Sequence, residues 1–261
     1  MDWENYLHPQ NEKPLDTLVE GYSYTSIFRR VAFVGDSLSS GEFETCDEKG
    51  QHGYYDMFEY SWGQHIARKN GFTAYSFSAG GMTAKEYVNN FAREKGYWDK
   101  DKACQAYVIA LGVNDLVSAK MEVGSTADID PENCKNNKPT FAGYYAAIIA
   151  RYKEIAPDAK FFLVTFPEIH LDWHNDLAKK HAALLYSLAE YYANCYVIDL
   201  YKYAPKYDQR FNEKFFLHGH MNPMGYVFTA KIIDSYIDYI IRHNPHDFEN
   251  VGFINTGIKY K

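Results

Sequence analysis

Four short blocks of this chain carry side chains suited to acyl transfer. Gly35-Asp36-Ser37-Leu38 places a hydroxyl just after an apolar run. Gly80-Gly81-Met82-Thr83 pairs two glycines, whose N–H groups are free of side-chain hindrance and able to face an anion. Gly112-Val113-Asn114-Asp115 offers a side-chain amide, and His218-Gly219-His220 offers imidazoles shortly before Gly225-Tyr226. Nucleophile, N–H donors, amide donor and base are the parts such a reaction requires. Each block alone has a plainer use. Ser and Asp cap helices, paired glycines make turns, Asn caps, and a lone histidine is more often structural.

The elements around these blocks give them a common place. Apolar, β-rich runs at 30–34, 72–77, 106–111, 160–166 and 196–200 predict five strands. Amphipathic patterns at 54–69, 83–94, 140–155, 172–194 and 223–243 predict helices. Alternating strands and helices make parallel βαβ units, with right-handed crossovers and helices on both faces of an open sheet. Ligands bind such sheets at the carboxyl ends of the strands, where the first three blocks fall. Segments 42–54 and 116–138 are long for strand-to-helix connections, and long loops at that end are often functional. One domain is expected over 1–261, with a core at about 30–243 and extensions at both termini packed on it.

With the blocks in this order, the sequence resembles the SGNH, or GDSL-type, serine hydrolases. Gly35-Asp36-Ser37-Leu38 reads as their GDSL block. Gly80-Gly81-Met82-Thr83 is similar to their glycine block, Gly112-Val113-Asn114-Asp115 to their GxND block, and His220 with Gly225-Tyr226 to their final block. The resemblance covers about residues 30–243. It implies an α/β/α sandwich on a five-stranded parallel sheet, in the flavodoxin-like order 2-1-3-4-5. It also implies ester hydrolysis without metal or other cofactor. Carried over, Ser37 is the nucleophile and an N–H donor, Gly81 a second N–H donor, Asn114 the amide donor, and His220 the base and acid. Asp36 supports the nucleophile turn, and with Gly80, Glu42, His170 and His218 it belongs to the expected pocket.

One position departs from the family. An aspartate stands three residues before the histidine there, and here the residue is Leu217. The expectation is a Ser37–His220 dyad with a backbone carbonyl orienting the imidazole. Glu42, Glu44 and Asp47 follow the nucleophile in an acidic stretch that either faces substrate or is simply solvated, and the solvated reading is the expectation. A carboxylate from elsewhere is the alternative.

Composition narrows the partners. The charge is −7, from 27 basic and 34 acidic residues, so nucleic acid and anionic membranes are poor partners. No apolar run approaches a membrane span, and the polar start lacks the pattern of a signal peptide, which makes a cytoplasmic location the expectation. The four cysteines are widely spaced with no CxxC pair, so no zinc site is expected. Cys104 and Cys195 are expected as buried thiols. The His218/His220 pair and the His170/His174 pair lack the further ligands of a metal site. Trp62, Trp98 and Trp173 are expected in packing. The expected function is cleavage of a carboxylic ester, with a short acyl group such as acetyl on a sugar or other small alcohol. The alternatives are a lysophospholipase or thioesterase, and a carbohydrate-binding protein with a decayed site. The oligomeric state is left open.

Overall fold

The computed structural model describes residues 3–259. Five parallel strands form the central sheet: β1 (Arg30–Gly35), β2 (Thr73–Ser78), β3 (Ala106–Ala110), β4 (Lys160–Val164) and β5 (Cys195–Ile198). Their order is β2-β1-β3-β4-β5, as the resemblance implies. β1 lies between β2 and β3, with Gly35 level with Ser78 and Ala110. The carboxyl ends of these three strands therefore come side by side.

The apolar runs form strands because both faces of the sheet are covered. Val31 and Phe33 point to one layer, with α1 (Trp62–Asn70) and α4 (Pro223–His243). Ala32 and Val34 point to the other, with α2 (Phe141–Ile155) and α3 (Asp172–Tyr191). Each fully buried Ile or Phe contributes about 1.5–3 kcal/mol over an exposed one, so the alternation on these strands sets the layers. Cys104 and Cys195 are buried free thiols, and burial pushes both up to about 12.

The terminal segments pack on α4. Ser23 and Thr25 donate hydroxyls to Asp234 at 2.7 Å each, and Glu12 pairs with Arg242 at 2.7 Å. Among the described residues no helix is long and apolar enough to cross a membrane.

The main departure from expectation lies at 54–69. Only its second half is helical, starting at Trp62 behind the Ser61 cap, whose hydroxyl accepts from the Gln64 N–H at 3.1 Å. Its first residues pair instead in an antiparallel hairpin, Glu42–Cys46 with His52–Asp56. Asp47 seals the turn by accepting the N–H groups of Lys49 and Gln51 at 2.8 and 2.9 Å. The segment at 83–94 is helical, but its middle, Tyr87–Phe91, widens into a π turn.

Candidate active site

Ser37 opens a one-turn helix, Ser37–Ser40, directly after β1. Asp36 is the cap: its Oδ1 accepts the Leu38 N–H at 3.1 Å. The sharp entry requires Gly35, since a Cβ there would lie 2.4 Å from the Ser39 Cβ. Asp36 is buried, and burial pushes its carboxyl up to about 6, against the pull of the Leu38 N–H and of His220. The Ser37–Ser40 turn packs on the residues His220–Met221 and on the first hairpin strand.

Two further turns lie beside it. Gly81 has a φ of +68°, a left-handed conformation that glycine adopts without strain. Asn114 does not cap its own turn; its amide donates to the Met82 carbonyl at 3.2 Å, which aims the side chain at the glycine turn. Asp115 ties the two turns together. It is buried, and both its oxygens accept the Ala84 N–H at 3.0 Å. Burial raises its carboxyl, and the backbone N–H groups of Ala84, Lys85 and Asp115 oppose that shift. Behind them His181 stacks on Phe166 with centroids 3.9 Å apart, and burial drives its imidazole down to about 3.

His220 lies on a short hairpin in which Leu217 pairs with His220 and Phe216 with Met221. Leu217 is 46% exposed, so the family's aspartate position faces outward here. The imidazole is oriented from another element. Glu44 Oε2 stands 3.1 Å from His220 Nδ1 and accepts the Gly219 N–H at 2.9 Å. The other oxygen, Oε1, meets His52 Nδ1 at 2.8 Å. Burial alone would raise Glu44, but the hydrogen bonds from His220, Gly219 and His52 outweigh it and hold the carboxyl at about 2.

These contacts correct two expectations. A carboxylate, not a backbone carbonyl, faces Nδ1. Glu44, expected in solvent, has a side chain only 8% exposed. Glu42 faces the site as well, with Oε1 2.9 Å from His220 Nε2. Asp47 is exposed and serves the turn.

The hairpin is anchored to the Ser37 turn and to α4. Tyr226 donates its hydroxyl to the Glu42 carbonyl at 2.6 Å, and Ser40 donates to Asp56. Phe43 packs edge-on against Tyr226 and Tyr60, each with centroids 5.5 Å apart. Tyr54, opposite Glu44 on the second strand, sets its ring 5.6 Å from that of His220 and remains 55% exposed.

The other expected pocket residues separate. His218 touches His52 edge-on and, with Gly219, lines an adjacent cavity of about 380 Å³. Leu38, Val113, Phe166, Ile169 and Met221 give that cavity an apolar wall. His174 borders it too, while His170 is exposed and precedes α3, so the two do not share a helix face. Trp62 and Trp98 pack as expected, against Phe33 and Tyr152. Trp173 is exposed. Among the described residues the one group of three potential metal ligands is His8, Glu12 and His243, and Arg242 holds both Glu12 oxygens.

Residues 33–228 match the family model of the GDSL-like lipases and acylhydrolases, three quarters of the chain. The chain belongs to this family. It is a carboxylic ester hydrolase. No curated protein matches it by sequence. Several solved structures share its fold. One is a family two carbohydrate esterase from Clostridium thermocellum in complex with cellohexaose, with 15% identity and a TM-score of 0.56 over 88% of this chain and 67% of that one. Another is a Corynascus thermopiles carbohydrate esterase of family 2 with a carbohydrate-binding domain, at 14% and 0.55 over 86% and 69%. A third is a psychrotrophic esterase from Pseudoalteromonas sp. inhibited by monoethylphosphonate, at 12% and 0.53 over 82% and 98%.

Within this GDSL-like hydrolase, sequence reasoning named the Ser37 turn, the glycine turn, Asn114 and His220, and the fold gathers them. It missed the role of Glu44. The signal was present: Glu42 and Glu44 alternate around Phe43, the period of a strand with one face turned to a polar site.

Proposed function

We propose that this hydrolase cleaves its ester through a Ser37–His220–Glu44 triad and an acyl-enzyme. Ser37 Oγ attacks the carbonyl carbon while its proton passes to His220 Nε2. The N–H groups of Ser37 and Gly81 and the Asn114 amide take the oxyanion. The tetrahedral intermediate collapses, and His220 returns the proton to the departing alcohol. Water then attacks the acyl-Ser37 ester, again giving its proton to His220, and the acid leaves. Glu44 remains ionised throughout and stabilises the imidazolium through Nδ1. The observation that carries the triad is the 3.1 Å contact between Glu44 and His220 Nδ1.

The substrate that fits best is a short acyl group on a sugar or another small alcohol. Tyr54 supports this, since an exposed ring beside the imidazole offers a flat apolar face to a sugar ring. Neighbours named as carbohydrate esterases support it too. The apolar cavity behind the His220 loop favours a second reading, a longer acyl chain.

Labelling with a fluorophosphonate tests the mechanism, and a p-nitrophenyl ester series from acetyl to palmitoyl, run beside acetylated oligosaccharides, tests the substrate. The wild type takes up one label and Ser37→Ala takes up none, with turnover lost by several orders of magnitude and the fold retained. Acetyl esters are turned over fastest. Turnover by folded Ser37→Ala would overturn the assignment of the nucleophile, an unlabelled and inactive wild type would favour a binding protein, and a palmitoyl optimum would favour the second reading.

A further inference from the structure

Glu42 occupies the ground that the reaction needs. Its Oε1 lies 2.9 Å from His220 Nε2, the nitrogen that must take the Ser37 proton. Its Oε2 lies over the glycine turn, so close that a Cβ on Gly80 would be 2.2 Å away. A planar carboxylate thus bridges the imidazole and the turn that faces the oxyanion. Its shape there is that of an ester carbonyl, or of the acid product.

The placement is costly and reversible. The Glu42 side chain is 12% exposed. Burial raises its carboxyl, and of the charges around it Asp56 and Glu44 raise it further while only His220 opposes them. The backbone is fixed by Tyr226 on the Glu42 carbonyl, which leaves the side chain as the part free to move.

We propose that Glu42 is a specificity-determining residue, whose carboxylate holds the acyl-carbonyl position in the free enzyme, yields it to neutral esters and rejects esters with a negative charge near the scissile bond. The inference rests on the Ser37–His220 reading. A neutral ester displaces Glu42 and leaves one more carboxylate at the rim beside Glu44 and Asp56. An anionic ester meets all three at short range, where partial burial weakens screening. A side chain at Gly80 would have to push the flexible end of Glu42 aside, because its Cβ would lie 2.2 Å from Oε2.

The test compares methyl 4-acetoxybenzoate with 4-acetoxybenzoate, one acetyl ester with and without a charge on the leaving phenol. Wild type, Glu42→Gln and Glu42→Ala are assayed on both, with fluorophosphonate labelling of each protein as an active-site count. The ratio of kcat/KM for the neutral over the anionic ester should fall by about tenfold in both variants. KM for the neutral ester should fall as well in Glu42→Ala, because no side chain then competes with the substrate. An unchanged ratio in labelled, active variants overturns the inference alone. So does an equal loss on both esters with slowed labelling, which would make Glu42 part of the reaction. A wild type that neither labels nor hydrolyses overturns the Ser37–His220 reading and this inference with it.

Discussion

Ser37, Gly81 and Asn114 stand on turns that leave the parallel sheet, whereas Glu42 and Glu44 stand on a hairpin that pairs with none of its strands. The first group rests on the central sheet, whose β1 and β3 are buried on both faces, with Asp115 clamping two of its turns together. The hairpin's second strand, His52–Asp56, is mostly exposed, and the hairpin is held to the rest by Tyr226, Ser40 and the packing of Phe43. One half of the site inherits its rigidity from the core, where reacting groups need fixed geometry. The other is attached at a few points, which suits a part that, in the proposed mechanism, orients the base and clears the way for substrate.

The comparison breaks first on the rigid side. In the proposed mechanism Asn114→Ala removes a donor aimed at charge that develops in the transition state, so kcat should fall by about 10²–10³ with a smaller change in KM. Steady-state kinetics on p-nitrophenyl acetate check this, and a rise in KM alone would make Asn114 a ground-state binding residue. A far smaller effect is expected from Leu217→Asp. The imidazole already has its carboxylate, and a second one on the neighbouring strand adds like charge near Glu44. Its kcat/KM should stay flat or fall by a few-fold. A clear gain would mean that Glu44 does not orient His220 in solution.

The sequence showed one half of the site better than the other, for a physical reason. Strand ends are legible because apolar, β-rich runs stand out, and Ser37, the glycine turn and Asn114 each follow one. The order of the five strands came from the resemblance and matches the structure. The hairpin was hidden because Tyr54, Tyr55 and Asp56 suit an exposed strand and an amphipathic helix alike. Pairing 42–46 with 52–56 is a non-local choice, decided by the Asp47 turn and by Phe43 reaching Tyr226, a residue 183 positions later in the chain. Leu217 pointed to a missing carboxylate, but the replacement could be found only once the hairpin was in place.

The most direct test of the triad is the kinetics of Glu44→Gln on p-nitrophenyl acetate, beside its thermal unfolding. Glutamine keeps the size of the side chain and removes the charge that stabilises the imidazolium. We predict a drop in kcat of about 10²–10⁴ with Ser37 still in place and a melting temperature within a few degrees of the wild type. Turnover within about twofold of the wild type in a folded Glu44→Gln protein would contradict the triad and leave His220 working without a carboxylate partner.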